Sequence, residues 1–349
     1  MTGADLGALL AQHDYRSIAI ELLQRETDRG AVDTEALATS PESALHNHPE
    51  VELEYTLTPA PGCSVFGVYR HRPGARAVIL VHPSLTEMRD NFTILHEYGH
   101  HAQRQYPDWV DLRYQLSSRS GDLVEELVSD AFAAEALLPA DRASLFRLDS
   151  AESLRDYHSQ SRASRAAIAM RSVTLSDANA AFVAAVIDLD GRVHFARSSD
   201  DNLFAPARGL AQPALATLAR KALASERQTS RGPLAGGLLT TTGLTRNDLV
   251  ADVALDHTAP YAFVVFRSEN AYGHQPHWAV GVLDCGNISC GIEFEAQSSP
   301  GQCRTCLTFR CPDCGHCDCA QRAASYCPDC TLEYSSVEAA DPSRHECPW

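Results

Sequence analysis

The 349-residue chain has a single lysine, Lys221, so its positive charge comes almost entirely from arginine. It has 29 Lys and Arg residues against 45 Asp and Glu residues, which gives a net charge of −16 with histidine neutral. A protein that coats nucleic acid by bulk charge needs a net basic surface, because its affinity comes from cations that displace counterions. The composition excludes that class and leaves room only for a local contact with DNA.

Long hydrophobic runs are also missing. The apolar stretches, such as Ala77 to Val81 and Tyr261 to Phe266, have the length of a strand, whereas a membrane-spanning helix needs about 20 apolar residues. Met1 to Leu10 contain neither a basic region nor the apolar stretch and small-residue cleavage site of a secretory signal. We therefore expect a cytoplasmic protein that makes no membrane contact.

Cysteine is almost absent from the first 284 residues, where only Cys63 occurs, and the other 11 of the 12 cysteines follow. Most of these come in close pairs. In a reducing compartment such pairs indicate metal binding and not a disulfide framework. We expect Cys63, by contrast, to be a buried small hydrophobe.

Strand and helix patterns alternate along the first half of the chain. Val51 to Leu57, Val65 to Tyr69 and Ala77 to His82 are predicted strands, followed by predicted helices over Asn91 to Gln105 and Gly121 to Leu138. The pattern favours a mixed α+β unit.

Beyond this unit, Ser150 to Arg171 is predicted to form two short helices with a break near Ser159 to Arg162. These helices fit either a helix-turn-helix that reads DNA or, more commonly, a packing hairpin. Strands return at a hairpin around Asp190-Gly191, a helix is predicted over Pro213 to Ala224, and Thr229 to Gly243 is predicted as a loop. This part is predicted to be a second α/β domain.

The sequence His96-Glu97-Tyr98-Gly99-His100 has the spacing of a zinc hydrolase. On a helix, His96 and His100 lie one turn apart on the same face, so both imidazoles can bind one zinc ion, and Glu97 can act as general base on a water molecule. The same residues could be ordinary surface side chains of an amphipathic helix. The acids of the next predicted helix argue against that alternative.

Glu126 and Asp130 are one turn apart on that second helix. We predict Glu126 as the third zinc ligand, with Asp130 accepting a hydrogen bond from a ligand imidazole and so fixing its tautomer. Glu125 competes for the ligand position, but only Glu126 has an aspartate one turn further on; Asp122 is the weaker candidate for the supporting carboxylate. The predicted reaction is metal-assisted amide hydrolysis.

Three further residues could have roles at the site. His101 adjoins the second ligand but points about 100° away around the helix, so we do not expect it to bind the metal. Tyr98 and Tyr114 are both candidates to polarise a substrate carbonyl, and their spacing does not choose between them.

Two stretches together resemble the ImmA/IrrE family of zinc metallopeptidases. They are Val78 to Gln103, VILVHPSLTEMRDNFTILHEYGHHAQ, and Glu125 to Pro139, EELVSDAFAAEALLP. Phe92-Thr93 matches the pair that precedes the HExxH helix in that family. The resemblance covers about residues 1–175 and implies a small zincin-like fold, with zinc ligands at His96, His100 and Glu126 and the base at Glu97.

The resemblance also implies a partner, since the family cleaves helix-turn-helix repressors of stress-response or mobile-element genes. We therefore expect a protein substrate, in particular such a repressor, which would pair as an added strand beside Val78 to Val81. The alternative is a transcriptional regulator or antitoxin-like protein that binds through Ser150 to Arg171 and its C-terminal end, with a vestigial peptidase site.

The expected domain order is a zincin-like metallopeptidase domain over 1–145, a helical or helix-turn-helix-like segment over 146–175, an α/β domain over 176–298 and a cysteine-rich zinc-binding module over 299–349. In the radiation-response branch of the family a sensor-like domain follows the helical region. Residues 176–298 occupy the same place in the order, and dimerisation or packing is an equal alternative.

The module contains four close cysteine pairs, which suffice for two structural zinc sites of four sulfurs each. They are Cys303 and Cys306, Cys311 and Cys314, Cys317 and Cys319, and Cys327 and Cys330. We favour interleaved over neighbouring pairing, which places the first and third pairs at one zinc and the second and fourth at the other. His316 could replace a sulfur, and an iron–sulfur cluster is the rival to zinc.

Four more residues could form a third site of wider spacing, namely Cys285, Cys290, His345 and Cys347. The cofactors predicted from the whole chain are therefore one catalytic and two structural zinc ions. The segment is poor in large apolar residues, so metal binding would supply its folding free energy.

Overall fold

The structure, a computed structural model, describes residues 3–57, 66–71, 74–84, 87–176, 181–200, 203–269, 277–317 and 319. The chain divides into two units, one of Met1–Leu145 with Gln160–Ile168 and one of Phe146–Ser159 with Ala169–Trp349. Within the described part, every helix is too short or too polar to cross a bilayer. Our boundaries after residues 145, 175 and 298 stay predictions.

The first unit combines helices with a small sheet. Its helices are α1 (Gly3–Ala11), α2 (Tyr15–Asp28), α3 (Thr34–Thr39), α4 (Pro41–His46), α5 (Glu87–Arg104), α6 (Pro107–Tyr114), α7 (Ser118–Leu137) and α8 (Ala140–Ala143). Its strands are β1 (Val51–Tyr55), β2 (Gly67–Arg70) and β3 (Ala77–Val81). The two long helices and three strands that the sequence predicted are present, with ends that differ by a few residues.

The three strands form a sheet in the order β1-β3-β2, with β3 parallel to β1 and antiparallel to β2. Strand β3 is central, so its backbone groups are paired on both sides. Our expectation that a substrate strand pairs beside Val78 to Val81 is therefore wrong. Only an outer strand such as β2 can accept an added strand.

Helices α5 and α7 pack closely and carry the candidate site between them. At their crossing a Cβ on Gly99 would lie 3.1 Å from Cα of Ser129, so glycine allows the close approach. Helix α7 begins at a capping serine, Ser117, which accepts a hydrogen bond from the backbone amide of Ser120. Leu95 and Phe132 are fully buried beside this crossing.

The second unit is built on an antiparallel sheet. Its helices are α9 (Ala151–Ser159), α10 (Arg165–Thr174), which begins in the first unit, and α11 (Pro213–Leu223), and its strands are β4 (Val183–Asp188), β5 (Val193–Ser198), β6 (Thr229–Pro233), β7 (Leu238–Leu239), β8 (Leu244–Arg246), β9 (Leu249–Leu255), β10 (Tyr261–Ser268), β11 (Trp278–Val280), β12 (Val282–Asp284) and β13 (Glu293–Glu295). A short 3₁₀ helix covers Ala296–Ser298.

Five of these strands pair in the order β5-β4-β10-β9-β6. Alternate residues of β10 face opposite sides: Val264 lies in the apolar cluster with Leu218 of α11, and Phe263 contacts His158 of α9. The sheet is antiparallel throughout. The sequence predicted an α/β domain here, and the structure has helices packed on an antiparallel sheet.

The region predicted as a loop, Thr229 to Gly243, contains strands β6 and β7. That prediction is wrong for both strands. Strand β6 is an outer strand and ends at Pro233, a place where the missing amide of proline does not interrupt pairing. Two further small sheets follow, β11-β8-β7 and the hairpin β12-β13.

Candidate metal centre and active site

Helix α5 places His96 and His100 one turn apart, and both are 7% exposed. Their Nε2 atoms lie 3.2 Å from each other. Helix α7 brings the carboxylate of Glu126 to 3.3 Å from Nε2 of His96 and 3.5 Å from Nε2 of His100. A tetrahedral zinc ion with Zn–N bonds of about 2.0–2.1 Å separates its ligand atoms by roughly 3.3 Å, so these three residues are spaced to hold one ion.

The remaining ring nitrogen of each histidine faces a carboxylate. Nδ1 of His96 lies 2.8 Å from Asp130, and Nδ1 of His100 lies 3.2 Å from Glu125. A proton on each Nδ1 would be donated to these acids, which leaves each Nε2 lone pair directed toward Glu126. We predicted this role for Asp130 from the sequence, but we predicted Glu125 only as a rival metal ligand. Asp122, the weaker candidate for the supporting carboxylate, is exposed.

The charges around the histidines favour a cation. Burial alone lowers the pKa of His96, but the hydrogen bond with Asp130 and the charges of Glu97, Asp130 and Glu126 outweigh burial and raise the pKa. A group of carboxylates that stabilises positive charge at buried imidazole nitrogens is what a divalent metal site requires.

Glu125 is held by two arginines from outside α7. Arg113 is paired with one carboxylate oxygen, and Arg104 lies 3.5 Å from the other. Burial opposes ionisation of Glu125, yet the hydrogen bond and charge of His100, with the charges of the arginines, lower its pKa. Glu125 is thus an ionised acceptor for His100.

Glu97 is 3% exposed and lies against strand β2. Burial is the main cause that raises the pKa of its carboxyl, opposed by the charges of the two histidines and by a hydrogen bond from the backbone amide of Tyr69. A Cβ added at Gly67 would lie 2.6 Å from Oε1 of Glu97. The strand therefore both positions Glu97 and limits the space around it.

The aromatic residues near the site have other partners. Tyr98 is fully buried and donates to Glu26, a bond that lies away from the metal ligands. Tyr114 is 75% exposed. His101 lies 3.3 Å from Glu50 and 3.3 Å from the hydroxyl of Tyr69, in keeping with its exclusion as a ligand.

Eight cysteines form two groups of four. Within each group, all four sulfurs lie within 4.8 Å of one another. The groups are Cys303, Cys306, Cys317 and Cys319, and Cys285, Cys290, Cys311 and Cys314. The first is the set expected at one interleaved site. In the second, Cys285 and Cys290, which both lie in the loop that joins β12 to β13, are grouped with Cys311 and Cys314, where the sequence analysis expected Cys327 and Cys330. Among the described residues, His316 belongs to neither group.

Several candidates fall outside the described residues, namely Cys63, Cys327, Cys330, His345 and Cys347. The roles that the sequence analysis gave to these five residues stay predictions.

Residues 63–172 match the family model of the IrrE N-terminal-like domain, peptidase family M78. This span includes α5 and α7 and hence all the residues of the candidate metal centre. The chain contains an IrrE N-terminal-like domain. Its match to a metallopeptidase family agrees with the resemblance seen in the sequence, and the His96, His100 and Glu126 group of this domain is consistent with a zinc site.

Among solved structures, a Mycobacterium tuberculosis transcriptional regulator is similar over 73% of this chain and 76% of that chain, with 17% identity and a TM-score of 0.39. At that TM-score the likeness carries no argument about function. A comparison with curated proteins found no match.

Proposed function

We propose that the IrrE N-terminal-like domain is a zinc-dependent endopeptidase and that His96, His100 and Glu126 are its metal ligands. The observation that carries the proposal is the arrangement of three ligand atoms at the spacing of one ion, next to a buried glutamate, Glu97, that is not needed as a ligand. A structural site would have no use for a buried carboxyl that does not bind the metal.

The residues fit zinc, because two imidazoles and one carboxylate leave a fourth position open, as catalytic sites do. When bound there, zinc would polarise a substrate carbonyl and lower the pKa of a water molecule to about 7. Asp130 and Glu125 hold the two imidazoles in the orientation that presents Nε2 to the ion.

Glu97 is the general base in this proposal. Its carboxylate takes a proton from the water that attacks the peptide carbonyl and passes that proton to the amine nitrogen that leaves. The amide of Tyr69 fixes the carboxylate while it does so.

The substrate we propose is a protein, and specifically a helix-turn-helix repressor. An extended segment of it would pair with β2, because β2 contacts Glu97 and, among the described strands, is paired only with β3. Main-chain hydrogen bonds to an outer strand give affinity with little demand on sequence, so side-chain contacts would set specificity.

The test is co-expression of the protein with the repressor-like protein encoded nearest to its gene, followed by intact mass spectrometry. We expect two fragments whose masses sum to that of the repressor plus one water, and no fragments with Glu97→Gln. An intact repressor with both proteins would contradict this substrate and favour the alternative, a regulator that binds without cleaving.

A further inference from the structure

Four cysteine pairs alternate between two clusters along the chain. The proximal cluster contains Cys285, Cys290, Cys311 and Cys314, and the distal cluster contains Cys303, Cys306, Cys317 and Cys319. The first and third pairs thus belong to one cluster and the second and fourth pairs to the other. We propose that each cluster binds one structural zinc ion. Cys285 and Cys290, which precede the cysteine-rich module, are ligands of the ion in the proximal cluster.

The sulfur separations suit a single ion in each cluster. Sγ of Cys285 lies 3.5 Å from that of Cys314, Sγ of Cys290 lies 3.8 Å from that of Cys311, and in the distal cluster Cys303 and Cys319 are 3.5 Å apart. A tetrahedral ion with Zn–S bonds of about 2.3 Å places its sulfurs roughly 3.8 Å apart.

The same distances argue against the two rival chemistries for these eight residues. A disulfide needs an S–S distance of about 2.05 Å. An iron–sulfur cluster puts several irons and inorganic sulfides between its cysteines, which therefore lie farther apart than around one ion. A four-thiolate site for one soft divalent ion remains, and zinc is the metal that this geometry favours.

The turns that carry the pairs are shaped to surround an ion. The backbone amide of Leu307 donates to the carbonyl of Cys303, and that of Gly315 to the carbonyl of Cys311, both at 2.9 Å. Leu307 and Gly315 both have positive φ, 58° and 69°. Backbone amides of Cys306 and Thr305 then point at the Cys303 sulfur, so the turn offers donors to a metal-bound thiolate.

A leucine in this left-handed conformation is held in place by its packing. Its side chain lies against Gly209, where an added Cβ would be 2.9 Å from Cδ1 of Leu307. The guanidinium of Arg192, next to β5, donates to the carbonyl of Gly209 at 2.6 Å and to that of Cys306 at 2.9 Å. The distal cluster is therefore attached to the domain of the five-stranded sheet.

The proximal cluster is also attached to this domain, in its case by apolar packing. Cys285 and Cys311 are buried in one cluster of side chains with Leu210, Leu239 and Phe309. The two metal sites thus connect the β12-β13 hairpin, the loop before α11 and the C-terminal turns. In this proposal the zinc module begins at Cys285, not at residue 299, and it forms part of the second unit.

The test measures zinc per chain in the full-length protein by inductively coupled plasma mass spectrometry. We expect the double variant Cys285→Ser/Cys290→Ser to contain one zinc fewer than the wild type, and Cys303→Ser/Cys306→Ser likewise, while the matched control Cys63→Ser keeps the wild-type content. Wild-type zinc content in Cys285→Ser/Cys290→Ser would overturn the proposal and return Cys327 and Cys330 as the partners of Cys311 and Cys314.

A second measurement covers variants that fail to fold. In ¹¹³Cd NMR of the cadmium-substituted wild-type protein we expect at least two resonances of four-thiolate sites, and the single substitution Cys290→Ser should shift one of them and leave the other. Fewer than two such resonances, or none moved by Cys290→Ser, would overturn the proposal. Neither readout depends on peptidase activity, so the proposal of two structural zinc sites stands or fails separately from the proposed function.

Discussion

Glu125 lies 3.2 Å from Nδ1 of His100, while the next residue on the same helix, Glu126, faces Nε2 of that ring. Successive residues of a helix point about 100° apart, so two adjacent glutamates can reach opposite sides of one imidazole. One is placed to bind the metal and the other to orient the ligand.

Replacing Glu125 should weaken zinc binding without removing a ligand. We expect Glu125→Gln to raise the dissociation constant of the His96 site about 10–100-fold, because the amide is a poorer acceptor for the imidazole proton. The measurement is zinc retained after dialysis against increasing chelator, with His96→Ala reporting the cysteine sites alone. Asp122→Asn, an exposed change on the same helix, is the control. Equal retention in Glu125→Gln and the control would show that Glu125 does not orient His100.

Gly67 leaves space that Glu97 needs. An added methyl group would lie 2.6 Å from both Oε1 of Glu97 and Cγ2 of Thr93, so we expect Gly67→Ala to displace Glu97 and lower kcat at least 10-fold with unchanged zinc content. The control is Gly7→Ala, where the added Cβ would make an ordinary 3.5 Å contact with Leu112. Wild-type kcat in Gly67→Ala would contradict the placement of Glu97 against β2.

Tyr98 stabilises the buried carboxylate of Glu26 in the first unit. Glu26 is 0% exposed and accepts hydrogen bonds from Tyr98 and Tyr106. Tyr98→Phe should lower the free energy of unfolding of the first unit by about 1.5–3 kcal/mol, the usual cost of losing a bond to a buried charged group. Urea unfolding measures it, with the exposed Tyr114→Phe as control. A change no larger than that of the control would mean that Glu26 is satisfied without Tyr98.

His48 should make stability depend on pH. Burial, with a smaller effect from the charge of His101, lowers its pKa from 6.5 to about 4. Between these values the unfolded chain binds more protons, so acidification favours unfolding. The contribution of neutral His48 is complete above pH 6.5 and is lost as the pH falls toward 4.

The corresponding experiment compares the slope of unfolding free energy against pH in wild type, His48→Gln and His46→Gln. We expect a shallower slope between pH 6.5 and 4 in His48→Gln only. His46, the last residue of α4, is exposed, so its variant should follow the wild type. Parallel slopes in all three proteins would assign the acid sensitivity to other groups.

Local spacing was enough to predict the centre of the site. His96, His100, Glu126 and Asp130 are related by one helical turn, and a period of that kind is visible in the sequence. The orientation of Glu125 depends instead on how α7 crosses α5, which Gly99 and Ser129 determine through packing. No spacing within one helix contains that information.

The features that local patterns did not predict have a common origin in pairing between distant segments. That β3 is central, that β6 is an outer strand and that Cys285 meets Cys311 all depend on which segments become neighbours. Cys285 and Cys290, which are separated by four residues, were predicted only as part of a third site with His345 and Cys347, whereas the structure brings them to Cys311 and Cys314. Such contacts follow from the whole fold and not from local pattern.

The central claim is that Glu97 acts as the base of a zinc peptidase, and its most direct test compares wild type with Glu97→Gln at equal zinc content. Each purified protein is incubated with a lysate of the producing cells in which existing N-termini have been blocked, and new N-termini are identified by mass spectrometry. We predict at least one new N-terminus with the wild type that is missing with Glu97→Gln. The same set of N-termini with both proteins would contradict the account.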